Sequence, residues 1–256
     1  MNTQRYVAMG SSFGAGPGLK PRAAHSPRAA GRSASNYAHL VATRAGLDLV
    51  DVTFSGATVR QMLTGGPGDR PSQLGAVDGS TSLVTITGGG NDVEYLPALT
   101  LASFPLPLAT LFGGRRRLNS LLDEASVDLS FVELESDLRS LVTSIHDRAP
   151  GARVMIVGYL TILPPLEQAA PPLGQSVHRW GLRVAARLAE TMSDVAVATG
   201  AEFVDVGEAS REHDAWATEP WTRRFHYSLR GGAPYHPSYV GMRKVSEQIT
   251  TRLSRS

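Results

Sequence analysis

Tyr6-Val7-Ala8-Met9-Gly10-Ser11-Ser12-Phe13-Gly14-Ala15-Gly16 is a short apolar run that breaks directly into glycines, with two serines at the break. A strand ending in such a turn projects a hydroxyl from the carboxyl edge of a sheet, where open α/β folds place their reactive groups. Ser12 is therefore a candidate nucleophile. Taken alone, the same residues can equally build a tight strand-to-helix turn in which the serines cap the next helix.

Working outward, short β-branched runs at 5–9, 47–54, 82–87, 153–159 and 202–206 read as strands. Between and after them, 35–45, 118–149, 175–199 and 238–253 carry apolar residues at helical spacing. This alternation predicts a parallel sheet covered by helices on both faces. No internal repeat and no linker divides the chain, so one domain over residues 1–256 is expected. The stretches 14–32, 95–117 and 209–237 read as loops, each beside an expected sheet edge that holds a motif.

Hydrophobic content of 42% and charged content of 19% are those of a globular protein rather than a disordered or fibrous one. The formal charge is only +2, with arginines scattered rather than striped, so nucleic acid is not an expected partner. One basic cluster, Arg115-Arg116-Arg117, follows an apolar segment and reads first as a solvated turn. The chain has no cysteine, which excludes disulfides and thiolate metal sites. Its apolar stretch from Leu96 to Phe112 is broken by Pro97, Pro105 and Pro107, so no transmembrane segment is expected. The first strand begins within a few residues of Met1, and cytoplasmic residence is the expectation, though a leader removed upstream would give a secreted protein.

Gly10-Ser11-Ser12-Phe13-Gly14 also satisfies G-x-S-x-G, the nucleophile elbow of α/β-hydrolases. In that fold several strands precede the elbow, whereas here the serine follows the first strand, so the match is coincidental. Gly14, Gly16 and Gly18 fail the spacing of a dinucleotide loop. Two further turns, Phe54-Ser55-Gly56-Ala57-Thr58 and Thr87-Gly88-Gly89-Gly90-Asn91-Asp92, close the second and third expected strands. In a doubly wound sheet they converge on the edge that holds Ser12. A glycine there exposes its N–H and an asparagine offers its NH₂, so Gly56 and Asn91 can hold a developing oxyanion, or simply start and cap helices. His236, in Tyr235-His236-Pro237-Ser238 before the last helix, is placed to fold back over the edge as a general base.

Together these blocks resemble the SGNH, or GDSL-type, hydrolase superfamily of esterases and lipases, whose motifs occur in this order over nearly the whole chain. Gly10-Ser11-Ser12 looks like its Gly-Asp-Ser block, Gly56 its isolated glycine, Gly89-Gly90-Asn91-Asp92 its Gly-x-Asn-Asp block and His236 its terminal histidine. The resemblance implies a flavodoxin-like, three-layer α/β/α fold with about five parallel strands. It also implies Ser12 as nucleophile, His236 as base, and an oxyanion hole of the Ser12 N–H, the Gly56 N–H and the Asn91 side chain. No cofactor or metal is implied, and the implied partner is a small-molecule ester.

Two positions depart from the family pattern. Ser11 replaces an aspartate that supports the turn, and Ala233 stands three residues before His236 where the triad aspartate is usual. A histidine base still needs a group to fix its tautomer and to stabilise the imidazolium. The first choice is the backbone carbonyl of Ala233, giving a Ser-His dyad. The second is a carboxylate from elsewhere, Asp205 at the end of the last strand, with Glu208 and Asp214 also near in sequence, and the third is no partner at all.

Phe104, Leu108 and Phe112 in the apolar segment, with Trp221 before His236, are expected to wall the substrate pocket. The expected activity is hydrolysis of carboxylic esters through an acyl-enzyme. A weakened or inactive scaffold used for binding, and an acyltransferase using the same serine, are the alternatives. Oligomeric state is not legible in the sequence.

Overall fold

Five parallel strands form the sheet: β1 (Arg5–Gly10), β2 (Asp48–Asp51), β3 (Thr81–Thr87), β4 (Arg153–Val157) and β5 (Glu202–Val204), in the order β2-β1-β3-β4-β5. The computed structural model describes residues 4–68, 70–105, 114–226 and 233–255. In register, Val7 of β1 lies beside Val50 on one side and Val84 on the other. Tyr6, Val7, Ala8 and Met9 are all fully buried, because helices cover both faces of the sheet. From β1 the chain winds first to β2, then back across to β3, β4 and β5. The direction reverses between β1 and β3, and a crevice opens at their carboxyl ends.

Helices α2 (Tyr37–Ala45) and α9 (Tyr239–Leu253) pack together on one face. On the other, α6 (Glu124–Arg148) packs between α3 (Val59–Thr64) and α7 (Gln175–Thr199). The result is the flavodoxin-like α/β/α sandwich. Among the described residues, no helix is long and apolar enough to cross a membrane.

Capping explains several boundaries. The Asn36 side chain accepts from His39 N–H at the start of α2, and Gly46 ends that helix in the left-handed region at φ 65°. Thr58 and Gln61 form a reciprocal capping box on α3. Asp123, accepting from the Ser126 N–H, starts α6 and so splits the helix expected over 118–149 between the end of α5 (Gly114–Leu121) and α6. Part of the stretch read as a loop over 95–117 is also helical, as α4 (Tyr95–Ala102). Pro97 does not break α4 because it sits in the first turn, where its missing N–H has no partner to lose.

Candidate active site

The turn after β1 is held by contacts that only a short sequence of small residues permits. A Cβ on Gly10, whose φ is +156°, would stand 2.6 Å from the Thr87 carbonyl oxygen. That close approach lets the Ser11 N–H donate to the Thr87 carbonyl at 2.8 Å, tying the end of β1 to the end of β3. Buried Gln73 brackets Gly10, its Oε1 accepting from the Gly10 N–H (2.8 Å) and its Nε2 donating to the Gly10 carbonyl (3.0 Å). Ser11 then precedes the single-turn helix α1 (Ser12–Ala15). Ser12 opens that helix, so its N–H has no helical carbonyl to meet.

His236 faces Ser12 across the crevice, with Nε2 2.7 Å from Oγ. The other ring nitrogen, Nδ1, lies 2.7 Å from the Pro234 carbonyl oxygen. A carbonyl can only accept, so Nδ1 carries the proton and Nε2 accepts from the Ser12 hydroxyl. Burial pushes the imidazole pKa down to about 4; the Pro234 carbonyl opposes that shift and the nearby Arg223 charge adds to it. His236 is thus neutral at pH 7. Its loop is fixed on both sides: the Arg223 N–H donates to the His236 carbonyl (2.9 Å) and the Tyr235 N–H to the Arg223 carbonyl (3.0 Å). Tyr235 turns the chain at a left-handed φ of 62°, its hydroxyl 2.6 Å from Ser103 Oγ.

Gly56 and Asn91 border the same crevice. Gly56 lies in a turn closed by the Ala57 N–H donating to the Phe54 carbonyl (3.0 Å), at φ 79°, where a side chain would be strained. Asn91 Nδ2 donates one hydrogen to the Ala57 carbonyl (3.0 Å), leaving its second for a ligand. Next to it, Asp92 Oδ1 accepts from the Val59 N–H (2.9 Å), so the loop after β3 grips the turn after β2 at two points. Burial raises the Asp92 pKa to about 6; hydrogen bonds led by the Val59 N–H oppose the rise, and nearby Asp137 adds to it.

Tyr159 ties this loop back to the serine turn. Its hydroxyl accepts from the Gly90 N–H (2.9 Å) and interacts with the Ser11 side chain, while its ring packs 4.5 Å from the Phe13 ring. A Cβ on Gly90 would come within 2.8 Å of that hydroxyl. Neither Tyr159 nor Gln73 was identified from the sequence. Tyr159 carried a faint signal, as the last residue of an expected strand, whereas Gln73 lies outside every motif.

Ser12, Gly56, Asn91 and His236 share a cavity of about 470 Å³ whose apolar wall includes Leu96, Leu101 and Phe104. Phe104 lies on that wall, and its ring meets Phe225 edge-on at 5.3 Å. Leu108 and Phe112 lie outside the described residues. Trp221 does not line the cavity: its indole stacks on His213 at 4.3 Å and its carbonyl accepts from the Ser238 N–H at the start of α9. Ala233 lines the cavity, but the carbonyl on Nδ1 belongs to Pro234, because the turn at Tyr235 brings that oxygen round to the ring. Asp205 is not beside His236. Its carboxylate caps α8 (Val206–Ala209), accepting from the Glu208 N–H at 3.0 Å, and borders a different cavity. Glu208 pairs with Arg211, and Asp214 accepts from the Trp216 N–H at 2.7 Å.

A family model described as GDSL-like lipase/acylhydrolase matches residues 8–244. Lipase 2 of Streptomyces coelicolor is 32% identical across 96% of this chain and 84% of its own length. Lipase 1 of the same organism is 27% identical across 92% and 81%. Among solved structures, the extracellular lipase of Streptomyces rimosus superposes with a TM-score of 0.79 at 24% identity, over 97% of this chain and 99% of that one. Phospholipase A1 of Streptomyces albidoflavus gives the same TM-score of 0.79 at 20% identity, again over 97% and 99%. Both share the three-layer fold described above.

Proposed function

The chain belongs to the GDSL-like lipase/acylhydrolase family and is a carboxylic-ester hydrolase, and from that premise we propose that Ser12 is its nucleophile and that His236 serves it as a dyad without a carboxylate. The observation that carries the reading is the 2.7 Å contact between His236 Nε2 and Ser12 Oγ, with Nε2 in the accepting tautomer.

In this account Ser12 Oγ attacks the ester carbonyl carbon as Nε2 takes its proton. The carbonyl electron pair moves onto oxygen, and the resulting oxyanion is held by the Ser12 N–H, the Gly56 N–H and the second hydrogen of Asn91 Nδ2. Collapse of this tetrahedral species expels the alcohol, which takes the proton from Nε2 and leaves an acyl-serine. Water, deprotonated by the same nitrogen, then attacks the acyl carbon; the bond to Ser12 Oγ breaks, Nε2 returns its proton to Oγ, and the acid leaves. Throughout, the Pro234 carbonyl keeps the Nδ1 proton in place and partly offsets the positive charge that His236 gains. The wall of Leu96, Leu101 and Phe104 favours an apolar acyl chain.

The test is hydrolysis of p-nitrophenyl esters from acetate to decanoate by the wild-type protein beside Ser12→Ala, with both folds checked by circular dichroism. We expect the variant to lose at least about 10³-fold in kcat/KM across the series. Equal rates in the two proteins would overturn the proposal.

A further inference from the structure

One arginine, Arg117, lines the cavity that holds Ser12 and His236, and a second, Arg223, lies near His236 without lining it. Arg117, on α5, lines the crevice together with Leu121 one turn further on, and its side chain is exposed. Arg223 stands on the His236 side: it acts electrostatically on that imidazole, and its Nη1 makes one long contact, 3.4 Å, to the carbonyl of Pro17, itself a lining residue. Partial burial holds the Arg223 pKa below the usual arginine value, and no acid opposes that shift. Among the described residues neither arginine enters an ion pair. Other arginines on the outer helices do pair, Arg60 with Asp137, Arg183 with Glu124 and Arg187 with Asp128.

Among the described residues, no Asp or Glu lines this cavity. The stretches that follow Phe104 and precede Ala233 in sequence, 106–113 and 227–232, contain none either. Among the described residues, this largely apolar pocket therefore carries positive charge that no carboxylate offsets. A cation beside low-dielectric walls attracts an anion more strongly than one in open water, and guanidinium matches the planar oxygen pairs of phosphate and carboxylate. A neutral ester can accept a hydrogen bond from such a group but gains no charge–charge attraction from it.

We infer that the preferred substrate is an amphiphile whose ester joins an apolar acyl chain to an anionic group, a phosphate or a carboxylate, recognised by Arg117 and Arg223. This rests on the Ser12 hydrolase reading and adds to it the charge of the substrate. Chemistry at the ester is unchanged. The arginines act on binding and on the orientation of the bound ester.

The test uses three soluble hexanoyl esters that differ only in the far end of the alcohol: 2-hydroxyethyl hexanoate, its phosphate monoester, and 3-(hexanoyloxy)propanoate. The wild-type protein is expected to give a kcat/KM for at least one anionic ester about tenfold or more above the neutral one at low salt, and this advantage should shrink as salt is added. Phosphate ahead of carboxylate, or the reverse, identifies the recognised group. The anionic-to-neutral ratio should fall about tenfold in Arg117→Gln, recover partly in Arg117→Lys, and fall similarly in Arg223→Gln. Should Arg223→Gln not fold, the exposed Arg117 decides the matter alone. A neutral ester that is cleaved as well as both anionic ones, or a ratio untouched by Arg117→Gln, would overturn the inference. Loss of neutral-ester cleavage in Ser12→Ala reads the hydrolase proposal separately, so either can fail without the other.

Discussion

A free histidine titrates near 6.5, but His236 sits where burial holds its pKa down to about 4. Only the neutral ring can accept the Ser12 proton. The acid limb of kcat/KM against pH should therefore fall near 4 rather than 6.5, and a limb at the ordinary histidine value would show that His236 is solvated or is not the base. Tyr159 gives a second expectation. In Tyr159→Phe the Gly90 N–H loses its acceptor, which should lower stability by about 1–3 kcal/mol in a denaturant titration and lower kcat more than it raises KM. At this scale Ser12, Gly56, Asn91 and His236 were legible because each stands in a short motif whose chemistry is local. The oxygen on Nδ1 was not. Whether Ala233 or Pro234 supplies it depends on the left-handed turn at Tyr235, and no residue type there announces such a turn.

The elements meet through clamps. Asn91 holds Ala57 and Asp92 holds the first N–H of α3, so the turn that carries Gly56 cannot drift from the loop that carries Asn91. Asp92 titrates near 6 in the folded protein, above the roughly 3.9 of an unfolded chain, so folding binds its proton more tightly. Its contribution to stability therefore falls as pH rises from about 4 through about 6, and the loss persists above that range. Asp92→Asn removes this dependence while keeping an oxygen for the Val59 N–H. The difference in melting temperature, variant minus wild type, should increase between pH 4 and pH 7; a constant difference would mean that Asp92 titrates normally. The capping box that starts α3 stands in the sequence as Thr58-Val59-Arg60-Gln61, but the helix is only six residues long and its apolar period is too short to read. Helix α4 was hidden for another reason: Pro97 looks like a breaker until its place in the first turn is known.

Across the whole molecule, the sheet was legible because strands buried on both faces must be apolar throughout, and the helices between them must be amphipathic. Tyr6 to Met9 meet that demand without exception. The crevice depends on how closely β1 and β3 approach at their carboxyl ends. Gly10→Ala drives a Cβ against the Thr87 carbonyl, so we expect destabilisation of about 1–3 kcal/mol by thermal melting together with loss of esterase activity. Retained activity would mean that the turn tolerates displacement. The pocket wall was less legible than the sheet, since a long connection can send its aromatic rings in several directions: Phe104 faces the crevice whereas Trp221 stacks on His213.

The most direct measurement is reaction of the native protein with a fluorophosphonate, read by intact mass and peptide mapping. A serine activated by His236 attacks phosphorus and expels fluoride. One adduct on Ser12 is expected, with esterase activity falling in step with labelling and no adduct in Ser12→Ala. Esterase activity that survives in Ser12→Ala, or an adduct that maps to another residue as activity disappears, would contradict the account.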